Sequence, residues 1–590
     1  MLLQRQGVSQ PPESSVRSLA NLSRLATDAK SSILAAYDMG APPALLQKIY
    51  DTEAEYQRPI ILPPDPKAGP HESIYITASN WTLHLGSKNP NAYPAYLEFF
   101  ASEINALGCS ATFEGYLFSP RAKEAKMLVR LLSGVEHPLI QVGYGAEFGD
   151  QILLATGLAQ AAMYDAFMED LFEPLMDDEL APLTSNPDDR TSSLFDLLRK
   201  VYDEPLFDVP PEAANETTHK GRVKAILSQP GAADKLKRLC ASYPIHPHKS
   251  TIHSHIEQCI WVGTLLTFSV KDRIDFFCMH LLTSSLFLRP VVDHLLRGAN
   301  DEGHPHHPRL NMERGYSFSH PLTSSSGTAA VQSGSGVGVS AFVKAEEERT
   351  GERPILTSSP QSTDASEVEE QTPLERQAEF IRAYILSIML IVLGRAKPKV
   401  EPTHLMGQSA TPRPPLAKER LFPKTSSPAS PLKKLGERAV TEDREYAPWP
   451  SLIQEAMYHP DSHVVKAMRA LSVAARDYGA TPKGEAVGSY CIGHPGLRPA
   501  TPQHREGHHD LPRRRQSLVY HQAPFASSSA PKGSKMETML GAAEMDGTIF
   551  VRAAGVLLER MGWVTRGQNP GDWDFDVKPP SNSAAPSGQN

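Results

Sequence analysis

The apolar positions of this chain recur at helical spacing in separated blocks, with Pro-, Gly- and Ser-rich stretches between them. Ser31–Ile49 reads SSILAAYDMGAPPALLQKI. It predicts a helix, a break at Gly-Ala-Pro-Pro, and a second helix opening at the prolines, where a missing N–H costs no helical hydrogen bond. Glu124–Leu132 is amphipathic at i, i+3 and i+4. Gln151–Phe172 is Ala-, Leu- and Met-rich with no turn residue after Gly157, which predicts one long helix. Glu257–Leu288 is apolar almost all round and predicts a central buried helix or helix pair. Gln377–Leu393, Trp449–Met457, Ser462–Arg476 and Thr548–Met561 complete the helical set. Ser73–Thr77 and Ala111–Tyr116 suggest strands, and Gly143-Tyr144-Gly145 reads as a turn.

This pattern predicts an all-α fold: a single large helical domain with long disordered insertions. Residues 1–16 read as a disordered tail and 17–298 as the N-terminal part of the helical core. Residues 299–375 form an insert, because runs such as SSSGTAAVQSGSGVGVS cannot bury enough apolar surface to order themselves. A core helix follows at 376–395, a Pro-rich insert at 396–446, and a core helix at 447–479. A further insert spans 480–537, a C-terminal core segment 538–576, and a tail 577–590.

Composition supports spacer-rich organisation, with 51 prolines in 590 residues. A net charge of −8 argues against a basic nucleic-acid binder and against a polybasic membrane-surface protein. The five cysteines are widely spaced with no CxxC pair, which disfavours a disulfide scaffold or a structural zinc module. The N-terminal MLLQRQGVSQPPESS lacks the apolar stretch of a signal peptide. The apolar run Ala383–Leu393 is too short for a membrane span. The expectation is a soluble cytoplasmic protein with neither a nucleic-acid nor a membrane partner. There is no GxGxxG between a strand and a helix, no P-loop and no GxSxG elbow.

Candidate chemistry lies with histidines inside packable segments. His137 opens HPLIQVGYGAEFG, with Tyr144 and Glu147 following; the alternative is a capping His on a helix connection. His280 sits in DFFCMHLLTSSLFL, where an imidazole costs free energy unless its nitrogens are hydrogen-bonded or coordinated. Thr283 and Ser284 follow on the same helix face and can bond the ring, which suits either a ligand or a satisfied core histidine. His463 and Lys466 stand at i, i+3 in HPDSHVVKAMRAL, again on one face. A lysine there can act as a base, add carbon dioxide to become a carboxylate-like ligand, or extend its amine to solvent. His246, His248, His253 and His255 are irregularly spaced and read as a solvated turn or a pocket edge. His304, His306 and His307 fall in an insert. Trp573 and Phe575, near the paired carboxylates of DWDFD, read as a C-terminal segment docking on the core.

Five pieces carry a resemblance, in this order: ILAAYDMGAPPALLQKIYD, HPLIQVGYGAEFGDQILLATGLAQAA, DRIDFFCMHLLTSSLFLRPVV, HPDSHVVKAMRAL, and GTIFVRAAGVLLERMGWV with DWDFD. Together they resemble the questin oxidase-like family of fungal polyketide pathways. The resemblance implies an oxidoreductase that opens an anthraquinone- or xanthone-like ring by Baeyer–Villiger-type oxidation, using NADPH and molecular oxygen on an aromatic polyketide. It also implies a mononuclear non-haem Fe(II) site, mapping to His137, His280, His463 and Lys466. Tyr144 would orient a quinone or phenol oxygen. The chain departs from the family pattern at Ser31 and Ser32, where a histidine is expected in the first helix, and at Gln141, where a second histidine is expected after His137. Those departures keep open an alternative, a non-catalytic helical protein that binds the same kind of aromatic intermediate.

Overall fold

The computed structural model of the chain describes residues 27–55, 74–173, 191–271, 273–297, 371–415, 446–489, 539 and 541–575. The expected tails at 1–16 and 577–590 lie outside the described residues, as do most of the expected inserts. The longer helices begin with α1 Thr27–Asp38, α2 Pro43–Glu55, α3 Ala92–Leu107, α4 Cys109–Phe118, α5 His137–Phe148 and α6 Gln151–Met163. They continue with α7 Leu194–Asp203, α8 His219–Leu227, α9 Ala232–Ala241, α10 Lys249–Phe268 and α11 Phe276–Ser285. The last are α12 Pro373–Gly394, α13 Trp449–Met457, α14 Ser462–Tyr478 and α15 Ile549–Met561. Among the described residues there is no sheet, only one parallel bridge between Asp275 and Asp574. The all-α expectation holds.

Several local readings change. Ala111–Tyr116 is part of α4, not a strand. Its buried residues Thr112, Phe113, Tyr116 and Leu117 follow a helical period, and Tyr116 meets Trp81, Phe99 and Phe100 at 5.3–5.4 Å between ring centroids. Residues 74–77 have no regular structure. The predicted helix at 124–132 breaks at Lys126, which has φ 57°. The run from Gln151 does not reach Phe172. It stops at Met163, where side chains take the next carbonyls: Arg130 donates to Tyr164 O and Ser133 to Asp165 O. The Glu257–Leu288 block is a helix pair, because Asp275 caps a new start by accepting from Phe277 N and Cys278 N at 2.9 and 3.1 Å.

The Pro-rich segment also starts later than its composition suggests. Val400 and Leu405 are buried, Pro402–Met406 forms a helical turn, and Arg552 donates to Gln408 O. Residues 481–489 are likewise built in, since Gly484 N donates to Met545 O and Gly547 N to Thr481 O, each at 2.9 Å.

The chain separates into two compact units. The first holds α1–α6, residues 286–297 and the first half of α12. Its helices approach closely because glycines replace side chains. A Cβ on Gly145 would stand 2.7 Å from Leu154 N, and one on Gly143 would stand 2.1 Å from Phe287 Cβ. Gly143-Tyr144-Gly145 is therefore a helix-packing face rather than a turn. The second unit holds α7–α9, most of α10, α11, the rest of α12 and α13–α15 with the C-terminal segment. Helix α12 is long and apolar enough to cross a membrane, but 94% of its most apolar window is buried within the protein, as in a core helix.

A buried ion pair organises the second unit. Asp275 and Arg395 are each 1% exposed and 2.6 Å apart. Arg273 reaches the same carboxylate at 2.8 Å. Arg395 also donates to Phe575 O at 2.7 Å and lies over the Phe277 ring. Asp275→Ala removes the helix cap and leaves Arg395 uncompensated, and we expect a loss of about 3–5 kcal/mol. Urea unfolding should show this as a lower midpoint with an unchanged slope.

His219 stacks on Phe277 with ring planes 6° apart, and its buried Nε2 has no hydrogen-bond partner. Burial, then the nearby Arg395 and Arg222, lowers its pKa from 6.5 to about 4. The unfolded chain therefore takes up this proton first as pH falls. Its contribution to stability is present above about pH 6.5 and is lost as pH falls toward 4. His219→Phe, which keeps the stack, should flatten the stability–pH curve across that interval.

Candidate functional site

The site residues of the second unit are set by two capped helix starts. Asp275 fixes the start of α11, and His280 follows about one turn later, 2% exposed. Its Nδ1 lies 2.7 Å from Phe276 O. A carbonyl only accepts, so Nδ1 carries the hydrogen and the neutral ring presents its lone pair at Nε2. The Phe276 carbonyl thus holds Nδ1, while the Thr283 hydroxyl donates to the carbonyls of Met279 and His280.

Helix α14 starts in the same manner. Asp461 is its N-cap and accepts from His463 N at 2.8 Å. The same oxygen accepts from His463 Nδ1 at 2.9 Å, again leaving Nε2 as the lone-pair nitrogen. The second oxygen, Oδ2, accepts from the Trp573 indole N–H at 2.8 Å. Burial works against ionisation of Asp461, but the hydrogen bonds and charge interaction of His463, with a smaller contribution from the Trp573 hydrogen bond, outweigh it and hold its carboxyl below the usual range. His459 supports the cap from behind, accepting from Asp461 N at 3.0 Å and donating to Met561 O at 2.9 Å.

The structure brings His280 and His463 together. Their ring centroids are 5.5 Å apart and their ligand nitrogens lie within 4.8 Å. Phe276 packs edge-on against both, at 4.6 Å from His280 and 5.1 Å from His463. Phe575 covers Phe276 at 4.5 Å and is itself 53% exposed. Lys466, three residues after His463 on α14, is 7% exposed. Two imidazoles whose Nδ1 atoms are held by oxygen and whose ligand nitrogens lie within 4.8 Å are a donor set that could hold a divalent transition metal.

His137 and Tyr144 belong to the first unit, on α5. His137 follows three residues with left-handed backbone, Gly134, Val135 and Glu136, at φ 62°, 59° and 55°. A β-branched residue at positive φ is strained, and such strain persists where the surroundings over-determine it. His137 Nδ1 lies 2.6 Å from Gly134 O, so this ring too has its hydrogen on Nδ1. Gln141 and Tyr144 follow at i+4 and i+7, on the same helix face. Tyr144 is 2% exposed, with its ring 4.5 Å from Phe287. Ser31 and Gln141, which stand where the resemblance expects histidines, are bonded to each other: Ser31 Oγ donates to Gln141 Oε1 at 3.2 Å.

Sequence reasoning passed over Asp461, Phe276 and His459, and read Trp573 only as part of a docking segment, without its bond to Asp461. The Asp-Ser-His run ahead of an apolar helix was the available signal for Asp461, as an N-cap. Nothing local ties Trp573 to position 461. Of the other histidines, His255 is a satisfied core residue bonded to Tyr243 OH at 2.6 Å. His304, His306 and His307 lie outside the described residues.

The chain is 31% identical over 267 residues to a questin oxidase of Aspergillus fumigatus, covering 44% of this chain and 56% of that protein. It is 27% identical over 268 residues to a Baeyer–Villiger oxidase of Paecilomyces divaricatus, covering 44% and 55%. It is 30% identical over 277 residues to a Baeyer–Villiger monooxygenase of Aspergillus aculeatus, covering 43% and 55%. The chain thus spans about half the length of the curated relatives it matches. The family model described as questin oxidase-like matches residues 29–302 and 355–471, which include His137, Tyr144, His280, His463 and Lys466. With the helical fold and the His280–His463 pair in place, the chain belongs to the questin oxidase-like family.

Proposed function

We propose that this chain is an oxidoreductase that opens an anthraquinone- or xanthone-like polyketide by Baeyer–Villiger-type oxidation. One atom of molecular oxygen enters between a carbonyl carbon and its ring neighbour; the other leaves as water, with two electrons from NADPH. The names of the relatives, a questin oxidase and Baeyer–Villiger oxidases, support the reaction class. The observation that carries the reading is the His280–His463 pair beside the Phe276–Phe575 stack, which sets metal-ligating nitrogens against an aromatic surface.

In this reading His280 and His463 would hold a divalent iron through Nε2, and Lys466, buried three residues after His463, is a further candidate ligand. The iron would supply the redox capacity needed to use molecular oxygen. Phe276 O, Asp461 and Gly134 O keep the ring hydrogens on Nδ1 and so keep each Nε2 available for coordination. Phe276 excludes water from one side of the histidine pair. The exposed face of Phe575 offers a planar substrate a stacking surface. Tyr144 carries a phenol hydroxyl for a quinone oxygen. The reaction runs in the cytoplasm, where NADPH is supplied.

His280→Ala and His463→Ala should each lower the iron retained after anaerobic loading to a small fraction of the wild-type content. Each should also cut ring opening by about 100-fold or more. Metal analysis beside an oxygen-uptake assay on an anthraquinone checks this; full turnover in either variant would end the metal assignment. Binding of the anthraquinone by the wild type with neither iron retention nor oxygen uptake would favour the binding-protein alternative. Phe575→Ala should raise KM by about fivefold with little change in kcat, since stacking is worth about 1 kcal/mol in substrate and transition state alike.

A further inference from the structure

We propose that Trp573 is a positioning residue for His463, acting through the carboxylate of Asp461. This rests on the metal reading above, although its first readout needs no metal. The geometry is a relay of three groups. The indole N–H donates to Asp461 Oδ2 at 2.8 Å, and Asp461 Oδ1 accepts from His463 Nδ1 at 2.9 Å. A carboxylate held at one oxygen only can turn about its Cβ–Cγ bond; held at both, it presents a fixed acceptor to the imidazole. Asp461 Oδ1 is already shared with His463 N, so the indole is the group that fixes the other oxygen.

Trp573 is itself anchored by means that have no part in the relay. It is 4% exposed. On its C-terminal side, Asp574 pairs with the backbone ahead of α11: Asp574 N donates to Ile274 O at 2.9 Å and Phe276 N donates to Asp574 O at 3.1 Å. Asp574 Oδ2 accepts from Ile274 N at 2.9 Å, and Arg395 holds Phe575 O. On its N-terminal side, Gly571 N donates to Met561 O at 2.8 Å. The acceptor of that bond, Met561 O, also takes the His459 Nε2–H. The segment is thus tied to the start of α11, which carries His280, and to the cap of α14, which carries His463. A residue more than one hundred positions beyond His463 in sequence therefore governs which ring nitrogen of His463 carries the hydrogen.

The test uses the full-length chain labelled with 15N-histidine and the variants Trp573→Phe, Trp573→His and Asp461→Asn. In the metal-free wild type, the ring nitrogens of His463 should show the Nδ1–H tautomer. Trp573→Phe, which keeps the ring bulk and removes the N–H, should shift His463 toward a mixture with the Nε2–H form. Trp573→His restores a donor and should recover most of the wild-type signal. Cobalt(II) affinity, measured by chelator competition, should fall about tenfold in Trp573→Phe. Adding Asp461→Asn to it should lower the affinity no further than Asp461→Asn alone.

An unchanged tautomer and unchanged cobalt affinity in Trp573→Phe, with only a lower melting temperature, would overturn the proposal and leave Trp573 as a docking residue. A tautomer shift in a protein whose wild type binds no cobalt would uphold the positioning role and refute the metal reading instead. If Trp573→Phe does not fold, benzothienylalanine in place of Trp573, which keeps the indole shape and replaces the N–H by sulfur, gives the same two readouts.

Discussion

The second unit depends on one buried ion pair, Asp275 with Arg395. Two charges taken out of water at 1% exposure are costly, and their attraction offsets that cost only with good geometry and full hydrogen bonding. Both conditions are met. Asp275 accepts from two backbone N–H groups, Arg273 and Arg395, while Arg395 also takes the Phe575 carbonyl. The pair joins three stretches far apart in sequence: the start of α11, the residue after α12 and the C-terminal segment. It sets the helix start from which His280 projects and the place where Trp573 meets Asp461.

A common device then prepares each histidine. In all three, Nδ1 faces an oxygen: the Phe276 carbonyl, the Asp461 carboxylate or the Gly134 carbonyl. A neutral imidazole so held has one tautomer and one nitrogen to offer, and would lose little rotational freedom if it coordinated a metal. The three acceptors arise differently. One is the carbonyl a turn earlier in the same helix, one a helix cap, and one a left-handed turn that includes a strained valine. For His280 and His137 the acceptor is backbone close in sequence, whereas for His463 it is a side-chain carboxylate that Trp573 holds from the far end of the chain.

Two of the positions where the resemblance expects histidines are explained locally. Ser31 and Gln141 satisfy each other across α1 and α5, so neither is a buried polar group left without a partner. Close helix approach in the first unit needs Gly143, Gly145 and Gly157, where any side chain would meet a neighbour's backbone or ring. The same glycines that look like a turn in a linear reading are what allow His137 and Tyr144 to stand on a tightly packed helix.

By itself the sequence determined the all-α class, the positions of α1, α2, α13 and α14, and the histidines worth watching. These are local properties: apolar periodicity, prolines at helix starts, and polar groups out of place in apolar runs. Its errors have a physical origin too. A Gly-Tyr-Gly run has the same local propensity whether it turns or packs, and only the neighbours Leu154 and Phe287 decide. A Pro-rich stretch looks like spacer until Leu405 finds a core and Arg552 finds Gln408 O. The tertiary structure alone decided that His280 meets His463, that Phe276 and Phe575 cover the pair, and that Trp573 reaches Asp461 over 112 residues. No local pattern encodes such a contact, because its energy exists only once the segments between have folded.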